Sequence, residues 1–173
     1  MHKSFSNVLT HTQSKTPILN RLHPKGKLGM ASKAYIIDEQ VGFLMRIAGQ
    51  RHSMIFQQHA PLDLTIPQFS VLIKVLELGS CSQNELGRRT SMDVATIKGV
   101  VDRLRARNLV RVRSDLTDKR RSVVEPTEET NSYADLLKAT GLLITELTLD
   151  PLTTSERDLF LNLLKKLSLQ CES

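Results

Sequence analysis

A mainly α-helical fold carrying one small β-ribbon follows from three features of this sequence. Apolar residues recur at helical spacing through most of residues 36–170, whereas strict alternation is confined to Val110–Arg113 and its surroundings. Serine, threonine and aspartate sit just ahead of the periodic stretches, where helix caps belong. Charge, finally, is unevenly divided: residues 1–33 carry +6, 34–87 carry −2, 88–121 carry +7 and 122–173 carry −5, for a net +6. That asymmetry predicts a localised polyanion-binding surface. A solvated charge run is the plainer explanation, but the arginine density between 103 and 121 argues against it.

With 173 residues the chain has length for one sizeable core with appendages. Two cysteines far apart in sequence, Cys81 and Cys171, make no disulfide framework. No apolar run is long enough to span a bilayer, so a soluble, cytoplasmic protein is expected.

Residues 1–33 are rich in Ser, Thr, Lys and His, with Pro17, Pro24, Gly26 and Gly29 and no sustained period, and are expected to be a disordered basic tail. A transit peptide is weakly supported by the single Arg21. A basic arm adding non-specific affinity for nucleic acid and a start-site artefact, with Met30 as the beginning, are the other two uses. Dispensability is favoured.

From Ile37 to about His59 a helix is expected. Ile37, Val41, Leu44, Met45, Ala48 and Ile55 form one stripe, and Phe43, Ile47 and Met54 a second. A helix apolar on two sides must be covered on two sides, by its own domain and by another subunit. Arg46, Arg51, His52 and His59 interrupt it. Arg46 suits either a structural ion pair or a ligand carboxylate. His52 and His59 lack a thiol or carboxylate companion, so no metal site is expected.

Thr65-Ile66-Pro67-Gln68 has capping-box spacing with proline in the first turn, and predicts a helix running to Gly79 with Phe69, Leu72, Ile73 and Leu76 inward. Ser82-Gln83-Asn84-Glu85 repeats the signature for a short helix to about Arg89. Thr90-Ser91-Met92 then turns into a helix from about Asp93 to Arg107, whose apolar stripe is Ile97, Val100, Val101 and Leu104. Its other face carries Ala95, Gly99, Asp102 and Ala106, flanked by Lys98 and Arg103. Glycine inside a helix costs about 1 kcal/mol relative to alanine, and close approach to a DNA major groove would justify it. On this helix alone an ordinary solvated face serves as well.

Asn108 can take the left-handed conformation of a helix stop. Val110 and Val112 then alternate with Arg111 and Arg113, Ser122–Glu125 returns, and Ser114–Arg121 ends in Asp118-Lys119-Arg120-Arg121. A ribbon with arginines at its tip, after two capped helices joined by a tight turn, is a wing suited to a narrow minor groove. Thr127, Glu128 and Glu129 open a long helix to about Leu149, with Leu136, Leu137, Thr140, Leu143, Ile144 and Leu147 as a nearly heptad seam. Thr153–Glu156 caps a last helix bearing Leu159, Phe160, Leu163, Leu164 and Leu167. So much leucine exceeds the needs of a small DNA-binding head and predicts a two-fold dimerisation module. The fold class expected is therefore a winged helix-turn-helix lobe, about 62–126, with N- and C-terminal dimerisation helices at about 36–60 and 127–170.

The order of elements, with the phrases LTIPQFSVLIKVL, SQNELGRRTSMDVATIKGVVDRLRARNLV and SDLTDKRR, resembles the MarR family of bacterial transcriptional regulators over roughly 36–170, and most strongly over 64–127. The resemblance implies a homodimer of winged-helix lobes on a palindromic DNA operator, usually repressing, with a ligand pocket between lobe and dimer helices. It makes 93–107 the recognition helix, with Ala95, Thr96, Lys98, Gly99 and Arg103 facing DNA. Arg120 matches the family's wing-tip arginine, oriented by Asp118, with Arg113, Lys119 and Arg121 as companions. Asn108 stands where glycine is usual, and Arg121 where smaller residues are common. The first helix has no reactive cysteine and the chain no tryptophan, which leaves oxidation sensing and urate-type sensing without their residues. VGFLMRIAGQRHSMIF and the recognition helix resemble the branch controlling breakdown of aromatic or pyridine carboxylic acids such as nicotinate. The effector site expected comprises Arg46 or His52 for the carboxylate, with Phe43 and Phe69 over the ring. A winged-helix protein-interaction module without DNA binding is the alternative function. An enzyme ranks third, because phosphate loop, nucleophile motif and metal cluster are missing from the sequence, and no cofactor is expected.

Overall fold

Helix boundaries in the computed structural model, which describes residues 34–114 and 122–168, fall where the capping residues sit. The expected tail 1–33, the wing-tip residues Asp118, Lys119, Arg120 and Arg121, and Cys171 lie outside the described residues. The chain divides into a leading unit, Met1–Ile37, described only from residue 34, and a main unit, Asp38–Ser173.

A 3-10 turn, Ile37–Glu39, precedes α1, Val41–His59. The helix starts later than the apolar period predicts because Gln40 is extended, at φ −86° and ψ 132°. Before α2, Ile66–Leu78, an unpredicted turn at Pro61–Asp63 holds Leu62 and Asp63 at φ 54° and 45°. The Thr65–Gln68 capping box forms in full, and Gly79 ends α2 at φ 71°. Ser82 caps α3, Gln83–Arg89, through the Glu85 N–H, but the predicted reciprocal bond is absent: the Glu85 carboxylate turns to Arg88 and Arg89 instead. Charge-assisted bonds to two guanidiniums outcompete one backbone N–H.

The ribbon consists of β2, Val110–Ser114, and β3, Ser122–Pro126, in antiparallel register with Val112 opposite Val124. Cys81 lies in a two-residue strand β1, Cys81–Ser82, that pairs with β3 and makes a three-stranded sheet in the order β1-β3-β2. Two residues are too few to show alternation.

The long helix expected from 127 to 149 is broken. α5, Glu128–Ser132, ends at Tyr133, whose N–H bonds back to Thr130, and α6, Ala134–Leu149, continues from there. The break coincides with a buried polar joint. The Thr127 hydroxyl donates to the Asn108 carbonyl at 2.9 Å and the Thr130 hydroxyl to the Leu109 carbonyl at 2.6 Å, so the start of α5 is tied to the residues that follow α4. The Leu109 carbonyl also accepts from the Thr127 N–H at 3.4 Å, so Thr127 and Thr130 together hold this joint.

The lobe's core gathers Val71, Leu72 and Val75 of α2, Leu86 of α3, the stripe of α4 (Val94–Ala106), and Val110 and Val124 of the sheet, with Leu137 of α6 against it. The leucine seam of α6 divides: Leu137 and Ile144 are buried within the chain, whereas Leu136 and Leu143 are exposed. α1 packs along α6 and is pinned by Arg51, whose guanidinium donates to the Thr148 carbonyl at 2.8 Å and the Leu147 carbonyl at 3.3 Å. These are unsatisfied last-turn acceptors at the negative end of α6, where a cation belongs. α7, Thr154–Ser168, buries none of its residues.

Candidate nucleic-acid interface and effector site

The exposed face of α4 is built by the turn that precedes it. α3 ends at Arg89, Thr90 returns its hydroxyl to the Leu86 carbonyl at 2.6 Å, and the Met92 N–H reaches the Gly87 carbonyl at 2.9 Å. Gly87 suits this close packing, since a Cβ would come to 3.0 Å of the Met92 carbonyl oxygen and the turn would have to shift to admit it. Asp93 then caps α4: its carboxylate accepts from the Thr96 N–H at 2.8 Å and the Thr96 hydroxyl at 2.7 Å, and the hydroxyl above all holds the Asp93 carboxyl below its ordinary range. At the far end Asn108 takes φ 56°, as its position after the last turn predicts, and donates from its amide to Glu129 at 3.2 Å.

With Ile97, Val100, Val101 and Leu104 buried, the helix presents Ala95, Thr96, Lys98 and Arg103 to solvent, with Gly99 half-buried between them. The side chain of Arg103 folds back over Gly99, 3.7 Å from where a Cβ would stand. Lys98 is paired with Asp102 at 3.1 Å, both exposed. Such a pair holds little free energy in water and exchanges readily for a phosphate. Among the described residues no carboxylate pairs with Arg103. Arg113 is different: it donates to Glu125 at 2.6 Å across the ribbon, and this bond leads in holding the Glu125 carboxyl low. Its geometry braces the base of the wing.

The four effector candidates fall into two groups. Arg46 stacks over the Phe43 ring at 5.1 Å on a mostly exposed stretch of α1. His52 and Phe69 are linked instead through Phe56, a buried ring the periodic reading passed over, with centroids 6.5 Å from His52 and 5.5 Å from Phe69. Gly141 of α6 makes room for Phe69, because a Cβ there would lie 3.3 Å from the ring. The His52 tautomer follows from its surroundings: the Thr148 hydroxyl donates to the Ile144 carbonyl at 2.7 Å, so it accepts from His52 Nδ1 at 3.0 Å. A neutral ring thereby keeps Nε2 as an acceptor, and a charged one offers a second N–H. Sequence reasoning noted Arg51 only as an interruption of the apolar stripes, without a role, and missed Phe56 and Thr148, which lay off those stripes. Cys81 is half-buried, and burial, with Glu85 adding to it, pushes its thiol up, which favours the protonated form over the reactive thiolate. Among the described residues no cluster could hold a metal ion, and no helix is long and apolar enough to cross a membrane.

Two capped helices in a tight turn, with a basic exposed second helix and a β-ribbon behind it, define a winged helix-turn-helix DNA-binding protein. Comparison with known proteins narrows this class. The sequence profile of the MarR family matches residues 64–122. The HTH-type transcriptional repressor NicR of Pseudomonas putida is 42% identical over 134 residues, spanning 77% of this chain and 85% of that protein. Among solved structures, Bordetella bronchiseptica BpsR, described for regulation of its DNA binding by 6-hydroxynicotinic acid, is 38% identical with a TM-score of 0.74, over 79% of this chain and 98% of that one. Streptomyces coelicolor PcaV, solved with its natural ligand, is 27% identical with a TM-score of 0.74, over 81% of this chain and 99% of that one. The chain belongs to the MarR family.

Proposed function

We propose that this protein is a cytoplasmic transcriptional repressor that binds a palindromic DNA operator as a homodimer and is released by a small pyridine or aromatic carboxylic acid, acting by binding alone and without turnover. The observation that carries the reading is the exposed face of α4, short at its centre and cationic at its flanks, on a helix rigidly capped at both ends. Ala95, Thr96, Lys98, Gly99 and Arg103 enter the major groove; Asp118, Lys119, Arg120 and Arg121 belong to the wing, with Arg113 steadying its base. Residues 34–173 form the working module and 1–33 a dispensable tail.

Dimerisation rests on α7, whose apolar stripe is left largely exposed by the described residues, and on the exposed Leu44, Met45 and Met54 of α1. The effector reading is supported by the likeness to NicR and to the 6-hydroxynicotinic acid-regulated BpsR. Here the ring would rest near Phe69 with a polar substituent on His52, and Arg46 beside Phe43 is the second carboxylate candidate.

Fluorescence anisotropy with duplexes selected from a random pool tests the reading. A palindrome with half-sites roughly 10 bp apart, bound by two protomers, is expected. Arg120→Ala should lower the salt slope by about one unit. A protein that enriches no duplex is not a repressor of this kind. 6-Hydroxynicotinate should raise the melting temperature and release the duplex, and whichever of Arg46→Ala and His52→Ala abolishes that shift identifies the anchor. A shift that survives both substitutions removes both residues from the site.

A further inference from the structure

Val94 is the one exposed large apolar side chain between residues 79 and 135 among the described residues, at 71% accessibility. It occupies the first position of α4, where the other large apolar side chains are all buried. The dimer reading does not account for it: α4 packs chiefly against α2, α3 and β2, whereas that reading rests on α1 and α7. Nor does helix propensity, since a β-branched residue in an exposed first turn gains nothing over alanine.

The polar side chains on either side of it in the helix's first turn are already engaged with each other. Both carboxylate oxygens of Asp93 accept from Thr96, one from its N–H and one from its hydroxyl. The leading turn of α4 therefore offers a surface of methyl groups, from Val94, Ala95 and the Thr96 side chain. Val94 also walls the open crevice between α3 and α4, whose floor is Gly87, Met92 and Ile97 and whose rim is Asn84 and Arg88. In a helix-turn-helix the N-terminal residues of the second helix meet the base edges. The one apolar feature on a major-groove edge is the C5-methyl group of thymine.

We infer that Val94 reads a thymine: its isopropyl group packs on the C5-methyl of one thymine in each operator half-site, and the methyl seats at the mouth of the α3–α4 crevice. This rests on α4 being the recognition helix. Removing the methyl from the DNA and removing the methyls from the protein must then have the same effect, and must not add.

The experiment uses the full chain and the duplex it selects from a random pool, with each thymine replaced in turn by uracil, which differs only in lacking that methyl. Burial of one methyl predicts about fourfold weaker binding per half-site at a single thymine position. Val94→Ala and Val94→Thr, which leave a surface position folded, should bind the thymine duplex about as weakly as the wild type binds the uracil duplex, and should no longer distinguish thymine from uracil there. Cytosine and 5-methylcytosine at that position should repeat the pattern with the methyl as the only variable. Uniform affinity across all uracil duplexes, or undiminished discrimination by both variants, overturns the assignment while duplex binding itself stands. If no duplex is enriched by the wild type, the DNA-binding reading fails and the assignment with it.

Discussion

Helices α4 and α7 carry apolar stripes of the same kind, yet a single chain completes only one of them. On α4, Ile97, Val100, Val101 and Leu104 are at most 2% exposed, covered by α2, α3 and β2. On α7, Leu159, Phe160, Leu163, Leu164 and Leu167 remain 36–61% exposed. Periodicity states that a face must be covered; it does not state by what. The lobe closes its core with elements close by in sequence, whereas α7 leaves its stripe open, the face proposed above for a second copy. Stability in the lobe is thus expected to be a property of the chain, and stability in α7, on the proposed dimer, a property of its concentration.

The largest expected effect comes from breaking the closed side of this contrast. Leu104→Ala, at a fully buried position, should cost about 2–5 kcal/mol in urea unfolding, and that loss should persist when protein concentration is varied. A loss that disappears at high concentration would place Leu104 on the dimer side of the divide. Next is the open side. Phe160→Ala should weaken association by about 2 kcal/mol, roughly thirtyfold in dissociation constant by sedimentation, while the lobe still folds. An unchanged dissociation constant means that α7 is covered by something other than its copy.

Gly99→Ala should separate folding from binding within α4. A Cβ there meets only the movable Arg103 guanidinium, at 3.7 Å. The free protein should therefore gain about 1 kcal/mol of stability, while the duplex is held more weakly because the backbone can no longer approach it as closely. Equal or tighter duplex binding would take this face out of the groove. The smallest effect is in acid. Thr96 lowers the Asp93 carboxyl and Thr153 lowers that of Glu156, so each cap is present above the carboxyl's unfolded pKa and is lost as pH falls through its folded pKa. Asp93→Asn should flatten the fall in stability below about pH 4 and leave the range from about pH 6 to 8 unchanged. A slope identical to wild type would show that the cap carries no charge-dependent stability.

Much of the candidate interface was legible because it is local. The stripe of α4, the Thr65 capping box, the Asn108 stop and the alternation of Val110–Arg113 each depend on residues within a turn or two. What was not legible depends on partners far along the chain. The Tyr133 break coincides with Thr130 reaching Leu109, 21 residues away. Arg51 finds its acceptors on α6, and Phe56, outside both apolar stripes, becomes buried against Phe69. β1 exists only because β3 passes beside it.

By itself the sequence determined most of the helices, their N-terminal caps, the basic second helix of the pair and which apolar faces call for cover, because spacing, capping and charge act over a few residues. Only the tertiary structure decided which apolar faces close within the chain. It also paired Arg113 with Glu125, split the effector candidates into an Arg46–Phe43 group and a His52–Phe56–Phe69 group, and left Val94 uncovered. Burial and pairing between distant residues depend on how elements meet in space, which no local pattern records.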